Sequence, residues 1–176
     1  MYFRKDFMKT FIFIFTGFVF VACSKPQAYP PVGGVLSKND LAVSKDRSKH
    51  LNEMERDQIK DWISGQSQKF YPMQLNYWVN VPDLSKHIKK KDGVEVSYQY
   101  ELYDFDMKKF YDEPTIIKNA TLGKFVEIKA VEDAVRYMDK GQEVTLLIPS
   151  VLAYGTYGDS KEIPNDMPLI VKLKML

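Results

Sequence analysis

Apolar and polar positions alternate most regularly in Val94–Tyr103, where Val94, Val96, Tyr98, Tyr100 and Leu102 fall on one side and Glu95, Ser97, Gln99 and Glu101 on the other. Successive side chains of a strand point to opposite faces, so the pattern predicts a strand with one buried and one wet face, as in an antiparallel sheet. Leu75, Tyr77, Val79 and Val81 repeat the alternation up to Pro82. The segments Glu143–Pro149 and Leu169–Leu176 predict two more strands. In the last, Leu169, Val171, Leu173 and Met175 face inward and Lys172 and Lys174 outward.

The period changes in two places. Between Arg47 and Lys69, Leu51, Met54, Ile59, Trp62 and Ile63 recur at helical spacing, with Gly65 and Pro72 bracketing the end. Asn52 and Glu55 have the spacing of a capping box. The stripe is narrow, which suits a helix packed on the domain; a dimerisation or partner helix is the other reading. Residues 130–141 predict a short helix with Val131, Ala134, Val135 and Met138 on one stripe, ended by Gly141. Strands outnumber helices and one short helix lies among them. The expected class is α+β, an antiparallel sheet wrapped over that helix and preceded by an extra N-terminal helix.

The N-terminus changes this picture. Phe11–Ala22 is an apolar run behind Arg4, Lys5 and Lys9, too short to span a bilayer comfortably and suited to a signal-peptide core. It ends in "FVAC", which resembles a bacterial lipobox with Cys23 as the lipidated residue, although Phe20 and Val21 depart from its usual Leu and small residue. A plain secretory signal and an N-terminal anchor helix are the alternatives. Met8 is a second possible start. Lipidation would consume the chain's one thiol, and several acyl chains would anchor it firmly. Pro26, Pro30, Pro31, Gly33 and Gly34 then mark a linker. The expected division is a signal peptide over 1–22, a linker over 23–46, a helix over 47–72 and a sheet domain over 73–176.

Composition narrows the chemistry. With 176 residues, 45% hydrophobic and 27% charged, the chain suits one globular domain plus attachments. A net charge of +2 supplies no electrostatic reason for a nucleic-acid partner, and "HIKKKDG" reads as a solvated loop. Aromatic residues make up 14%, which suits a β-rich core or an aromatic pocket. His50 and His87 are the only histidines and have no cysteine partner, so no metal site is expected. No serine sits in a nucleophile elbow and no glycine-rich phosphate loop joins a strand to a helix. Asp104, Asp106 and Asp112 lack the spacing of a calcium loop. No cofactor is expected.

One stretch resists a purely structural reading: "LIPSVLAYGTYGDSKEIPNDMPLIVKL" puts Tyr154 and Tyr157 in a loop between two strands. With Lys140-Gly141, Ala153-Tyr154-Gly155, Gly158, Ile163-Pro164 and the final strand in order, it resembles the C-terminal half of FKBP-type peptidyl-prolyl cis/trans isomerases. The likeness extends back through "LGKFVEIKAVEDAV" to "VEVSYQYEL" and covers roughly residues 73–176. The whole layout is similar to the gliding motility-associated FKBP-type lipoproteins of Bacteroidetes.

The resemblance implies a shallow aromatic bowl, between sheet and helix, that holds a prolyl ring. It implies catalytic roles for Tyr98 and Tyr154, the latter donating its hydroxyl to a substrate carbonyl. It places Phe110, Tyr111, Ile128, Val131, Tyr157, Ile163 and Val171 around the substrate. Where the family commonly has Trp, Asp and Phe, this chain has Val131, Tyr111 and Val171, and its Ile-Pro-Pro is Ile163-Pro164-Asn165. These departures argue against tight binding of the macrolides the family is known for. The implied partners are proline-containing polypeptides, a membrane through Cys23, and a motility or secretion complex. The implied location is the bacterial envelope, on the outer membrane facing the periplasm. Two functions stay open: an isomerase that assists folding of exported proteins, and an FKBP-fold chaperone or docking module with weak or no catalysis.

Overall fold

The computed structural model describes residues 37–125 and 128–176. The expected signal peptide, Cys23 and most of the expected linker lie outside the described residues. Backbone contacts divide the chain into two units, Met1–Asp40 and Leu41–Leu176. In the first, Ser37 Oγ accepts the Asp40 N–H at 3.1 Å and Asp40 Oδ2 accepts the Ser37 N–H at 3.2 Å. This reciprocal pair caps α1, which runs from Lys38 to Ser64. The helix therefore starts nine positions before Arg47, and the expected linker is shorter than 23–46. Asn52 and Glu55 are mid-helix and cap nothing; the cap is built where a serine and an aspartate three residues apart open the helix.

In the second unit six strands form one antiparallel sheet in the order β1-β2-β5-β6-β3-β4. They are β1 (Tyr71–Pro72), β2 (Trp78–Val79), β3 (Glu95–Tyr103), β4 (Thr115–Thr121), β5 (Glu143–Ile148) and β6 (Leu169–Met175). A second helix, α2 (Lys129–Val135), follows β4. Val96, Tyr98, Tyr100 and Leu102 of β3 are buried, as the alternation predicts, whereas Val94 precedes the strand and is exposed. They pack with Val144, Leu146, Val171 and Leu173 against Ala130, Val131, Ala134 and Val135 of α2. Three to four such side chains per helical stripe, taken out of water, provide the main apolar driving force here.

The expected strand Leu75–Val81 shrinks to two residues. Asn76 has φ +62°, and the Asn76 and Met73 amides close a turn on Met73 and Tyr77 carbonyls, which leaves Leu75 exposed. Tyr77 is fully buried and its hydroxyl donates to Asp133 Oδ2 of α2 at 2.9 Å.

The outer sheet face is not uniformly wet. Leu147 and Ile170, neighbours across β5 and β6, are buried under Ile59 of α1. Trp62 sits edge-on to Phe70 and Phe105 and donates its indole N–H to the Phe105 carbonyl at 2.9 Å. Glu55, Ile59 and Trp62, spaced four and three apart, make the inner stripe of α1, so α1 packs on the sheet domain.

Candidate active site

β4 carries a device that alternation alone does not reveal. Val96 pairs with Ala120 but Tyr98 pairs with Ile117, so an extra residue bulges between them. Residues three apart in a regular strand point to opposite faces. Here the bulge sets Ile117 and Ala120 opposite two residues that share the buried face of β3. Asn119, at φ +53°, donates its N–H to Ser97 Oγ at 3.0 Å and holds the bulge.

Both residues line a cavity of about 250 Å³ between the sheet and α2. Tyr98 and Tyr100 form its sheet side, Ile128 and Val131 its helix side, and Thr121, Lys124 and Phe125 complete the wall. Phe125 stacks on Tyr98 with ring centroids 5.4 Å apart and planes at 22°. The turn before Phe125 is tied to α2, because Glu132 Oε1 accepts the Gly123 N–H at 2.7 Å and the Arg136 guanidinium at 2.6 Å. Arg136 also meets Asp92 at 2.7 Å.

Beyond β5 the chain makes a long loop. A one-turn helix at Ser150–Leu152 leads to Ala153 and Tyr154, and a second spans Gly155–Tyr157. Gly158 then reverses the chain at φ +62°, so close to Ile163 and Pro164 that a Cβ there would collide with their backbone. Asp159 organises the turn beyond it. Its Oδ1 accepts the Ile163 N–H at 2.9 Å and the Lys161 N–H at 3.0 Å, and its Oδ2 accepts the Tyr111 hydroxyl. Burial pushes the Asp159 carboxyl up, but the Tyr111 and backbone donors outweigh it and hold the group below the usual aspartate range. The same contact region pushes the Tyr111 phenol up to about 12, through burial first and Asp159 second.

Of the residues that the sequence singles out, Tyr98, Ile128 and Val131 meet in the cavity. Phe110, Tyr111, Tyr154 and Ile163 pack on the same hydrophobic cluster but are not among the cavity's lining residues, and Val171 is fully buried in the core. Tyr157 is 85% exposed at the outer turn before Gly158 and is not among the cavity's lining residues. Sequence reasoning missed Phe125, Ile117, Ala120, Thr121 and Lys124. The aromatic residue two places after a turn glycine was the only hint of Phe125, and the bulge hid the others. Among the described residues no group of three or more His, Cys, Asp or Glu is placed to hold a metal.

The family model described as FKBP-type peptidyl-prolyl cis-trans isomerase matches residues 85–176, just over half of the chain. The chain belongs to this family. It is a peptidyl-prolyl cis/trans isomerase with an FKBP-like α+β fold. Its structure is similar to that of FkpA from Escherichia coli, at TM-score 0.53 and 19% identity over 80% of this chain and 72% of that one. It also matches a peptidyl-prolyl cis-trans isomerase from Pseudomonas syringae pv. tomato, at TM-score 0.48 and 19% identity over 70% of this chain and 92% of that one. No curated protein matches it in sequence.

An FKBP-type isomerase needs no nucleophile for its reaction. The X-Pro bond resists rotation by ~18–20 kcal/mol because amide resonance must be broken. A twisted amide has lost that resonance and is less polar than the planar form. An apolar, water-poor bowl therefore favours it, which is stabilisation of the transition state over the ground state.

Proposed function

We propose that this isomerase works as an envelope lipoprotein on proline-containing exported polypeptides, in the manner of the gliding motility-associated FKBP-type lipoproteins of Bacteroidetes. The observation that carries this reading is the order of parts in one chain: an apolar leader ending in "FVAC", a Pro- and Gly-rich spacer, a helix and an isomerase domain. Acyl chains on Cys23 hold the protein at the outer membrane facing the periplasm, and the spacer lets the domain reach clients.

The prolyl ring enters the cavity bounded by Tyr98, Tyr100, Phe125, Ile128 and Val131. Val131, where the family commonly has Trp, leaves the helix side of the bowl aliphatic. Phe125 restores aromatic surface from the neighbouring turn. The hydroxyl of Tyr154 is the donor to a substrate carbonyl, with Phe110, Tyr111 and Ile163 beside the bowl and Val171 supporting it from the core.

Two measurements test the reading. Labelling with an alkyne fatty acid in a Bacteroidetes host should mark the wild-type chain in the membrane fraction, and Cys23→Ser should lose both label and membrane. A labelled Cys23→Ser chain would overturn the anchor. NMR exchange on a Phe-Pro peptide, with the chain from Ser24 onward, should show acceleration that falls in Tyr154→Ala. A folded protein with no acceleration would favour the chaperone or docking reading, in which the Val131 and Tyr111 departures have removed the chemistry.

A further inference from the structure

Helix α1 ends well before residue 85, where the family match begins, yet it sends a buried acid into the isomerase domain. Glu55 is 3% exposed and Ser150 is 2% exposed. The Ser150 N–H donates to Glu55 Oε2 at 2.7 Å and its hydroxyl to Oε1 at 2.6 Å. Both carboxylate oxygens are thus committed to one residue, 95 positions away in the chain.

Ser150 opens the one-turn helix Ser150–Leu152, and the N–H of the following Ala153 returns to the Ser150 carbonyl at 2.9 Å. Tyr154 is the next residue. Further along the loop Arg47 of α1 lies 3.5 Å from Asp166 Oδ2, and the Asp166 N–H donates to the Gly155 carbonyl at 3.0 Å. The buried Glu55–Ser150 contact is therefore the firm tie from α1 to the segment carrying Tyr154, and the solvent-exposed Arg47–Asp166 pair adds a weak one through Gly155. A helix that only needed to cover Leu147 and Ile170 would be served by an apolar residue at position 55. Desolvating a carboxylate is costly unless its bonds are made, and here burial pushes its pKa up while the Ser150 bonds and the charge of Asp166 pull in opposite directions.

We propose that Glu55 is a positioning residue of the isomerase, which through Ser150 sets the turn that presents Tyr154 and so makes α1 part of the catalytic apparatus. The inference rests on Tyr154 serving the prolyl site.

The test compares Glu55→Gln with Glu55→Met in the full chain, purified in detergent. The two replacements are uncharged and similar in size. Glutamine can accept the Ser150 N–H and donate to its hydroxyl; methionine can do neither. Peptide cis/trans exchange and amide hydrogen exchange are measured at a temperature where every variant is fully folded. Glu55→Gln should keep kcat/KM within about twofold of wild type, while Glu55→Met should lose about tenfold, chiefly in kcat, since small displacements of a substrate-positioning group are costly in rate. Amides of 152–158 should exchange faster in Glu55→Met while those of β3 and β6 stay protected. Equal activities for Gln and Met, or a uniform rise in exchange that includes β3 and β6, would overturn the proposal. A Tyr154→Phe chain separates the two readings: if it turns over like wild type, the donor role of Tyr154 falls and takes the positioning role with it, whereas if it loses activity while Glu55→Gln and Glu55→Met stay equal, only the positioning role falls.

Discussion

Tyr98 and Phe125 lie nearly parallel, 5.4 Å between ring centroids, although one comes from the middle of β3 and the other from the turn after β4. The pair makes one side of the cavity aromatic at a site whose helix face offers only Ile128 and Val131. Offset aromatic pairs contribute about 0.5–1.5 kcal/mol beyond the area they bury. Replacing Phe125 with Ala should therefore reduce kcat/KM roughly three- to tenfold, mostly through a higher KM, because in the proposed binding mode the lost surface meets the proline in ground and transition states alike. The check is peptide exchange at several substrate concentrations. A Phe125→Leu chain should fall between the two.

The seat of α1 on the sheet depends on Ile59, which is fully buried against Leu147 and Ile170. Ile59→Ala leaves a hole that Trp62 and Phe70 cannot fill without losing their edge-on contact. The expected loss is about 2–5 kcal/mol of unfolding free energy, read from urea titration. Val43→Ala, at an exposed position of the same helix, should change stability by less than about 0.5 kcal/mol.

Gly158 tests the loop by sterics alone. Its φ of +62° and the closeness of the Ile163 carbonyl and Pro164 leave no room for a side chain. Gly158→Ala should displace the loop and lower activity at least fivefold while costing on the order of 1–3 kcal/mol in stability. Gly141, also at positive φ but with open space around it, should respond to the same change by backbone strain only, with activity retained.

The Tyr111–Asp159 contact predicts a pH response at both ends of the range. The carboxyl pKa is lowered in the folded state, so its contribution to stability is complete above the usual value of 3.8 and is lost as pH falls through the lower folded value. The phenol is raised from 10.0 to about 12, so its contribution is complete below 10.0 and is lost as pH rises between those two values. Tyr103, pushed up to about 12 by its bond to Glu101, shares the alkaline window. The reading is therefore the difference between wild type and Tyr111→Phe in urea midpoints. That difference should be largest near neutrality and shrink above pH 10 and below pH 4.

The class of the fold and most of its core were legible in the spacing of apolar residues. Val96, Tyr98, Tyr100 and Leu102, and the odd positions of β6, are buried as their alternation requires, since a strand can bury one face only by spacing its apolar residues by two. The stripe of Val131, Ala134 and Val135 in α2 was legible for the same reason at helical period, although the helix stops at Val135, short of the expected end at Gly141, and leaves Met138 beyond it; the order of motifs from Tyr98 to Ile163 carried the family. Other features arise only where long-range contact departs from local pattern. The β4 bulge brings Ile117 and Ala120 to one face against their spacing, because register is a property of the pair and not of the strand. Tyr157 and Tyr154 look alike in the sequence, yet only one packs on the core, because Gly158 turns the chain against Ile163. Glu55 reads as a solvated helix residue or half of a cap; its bond to Ser150 spans 95 positions, and no local pattern encodes a partner that far away.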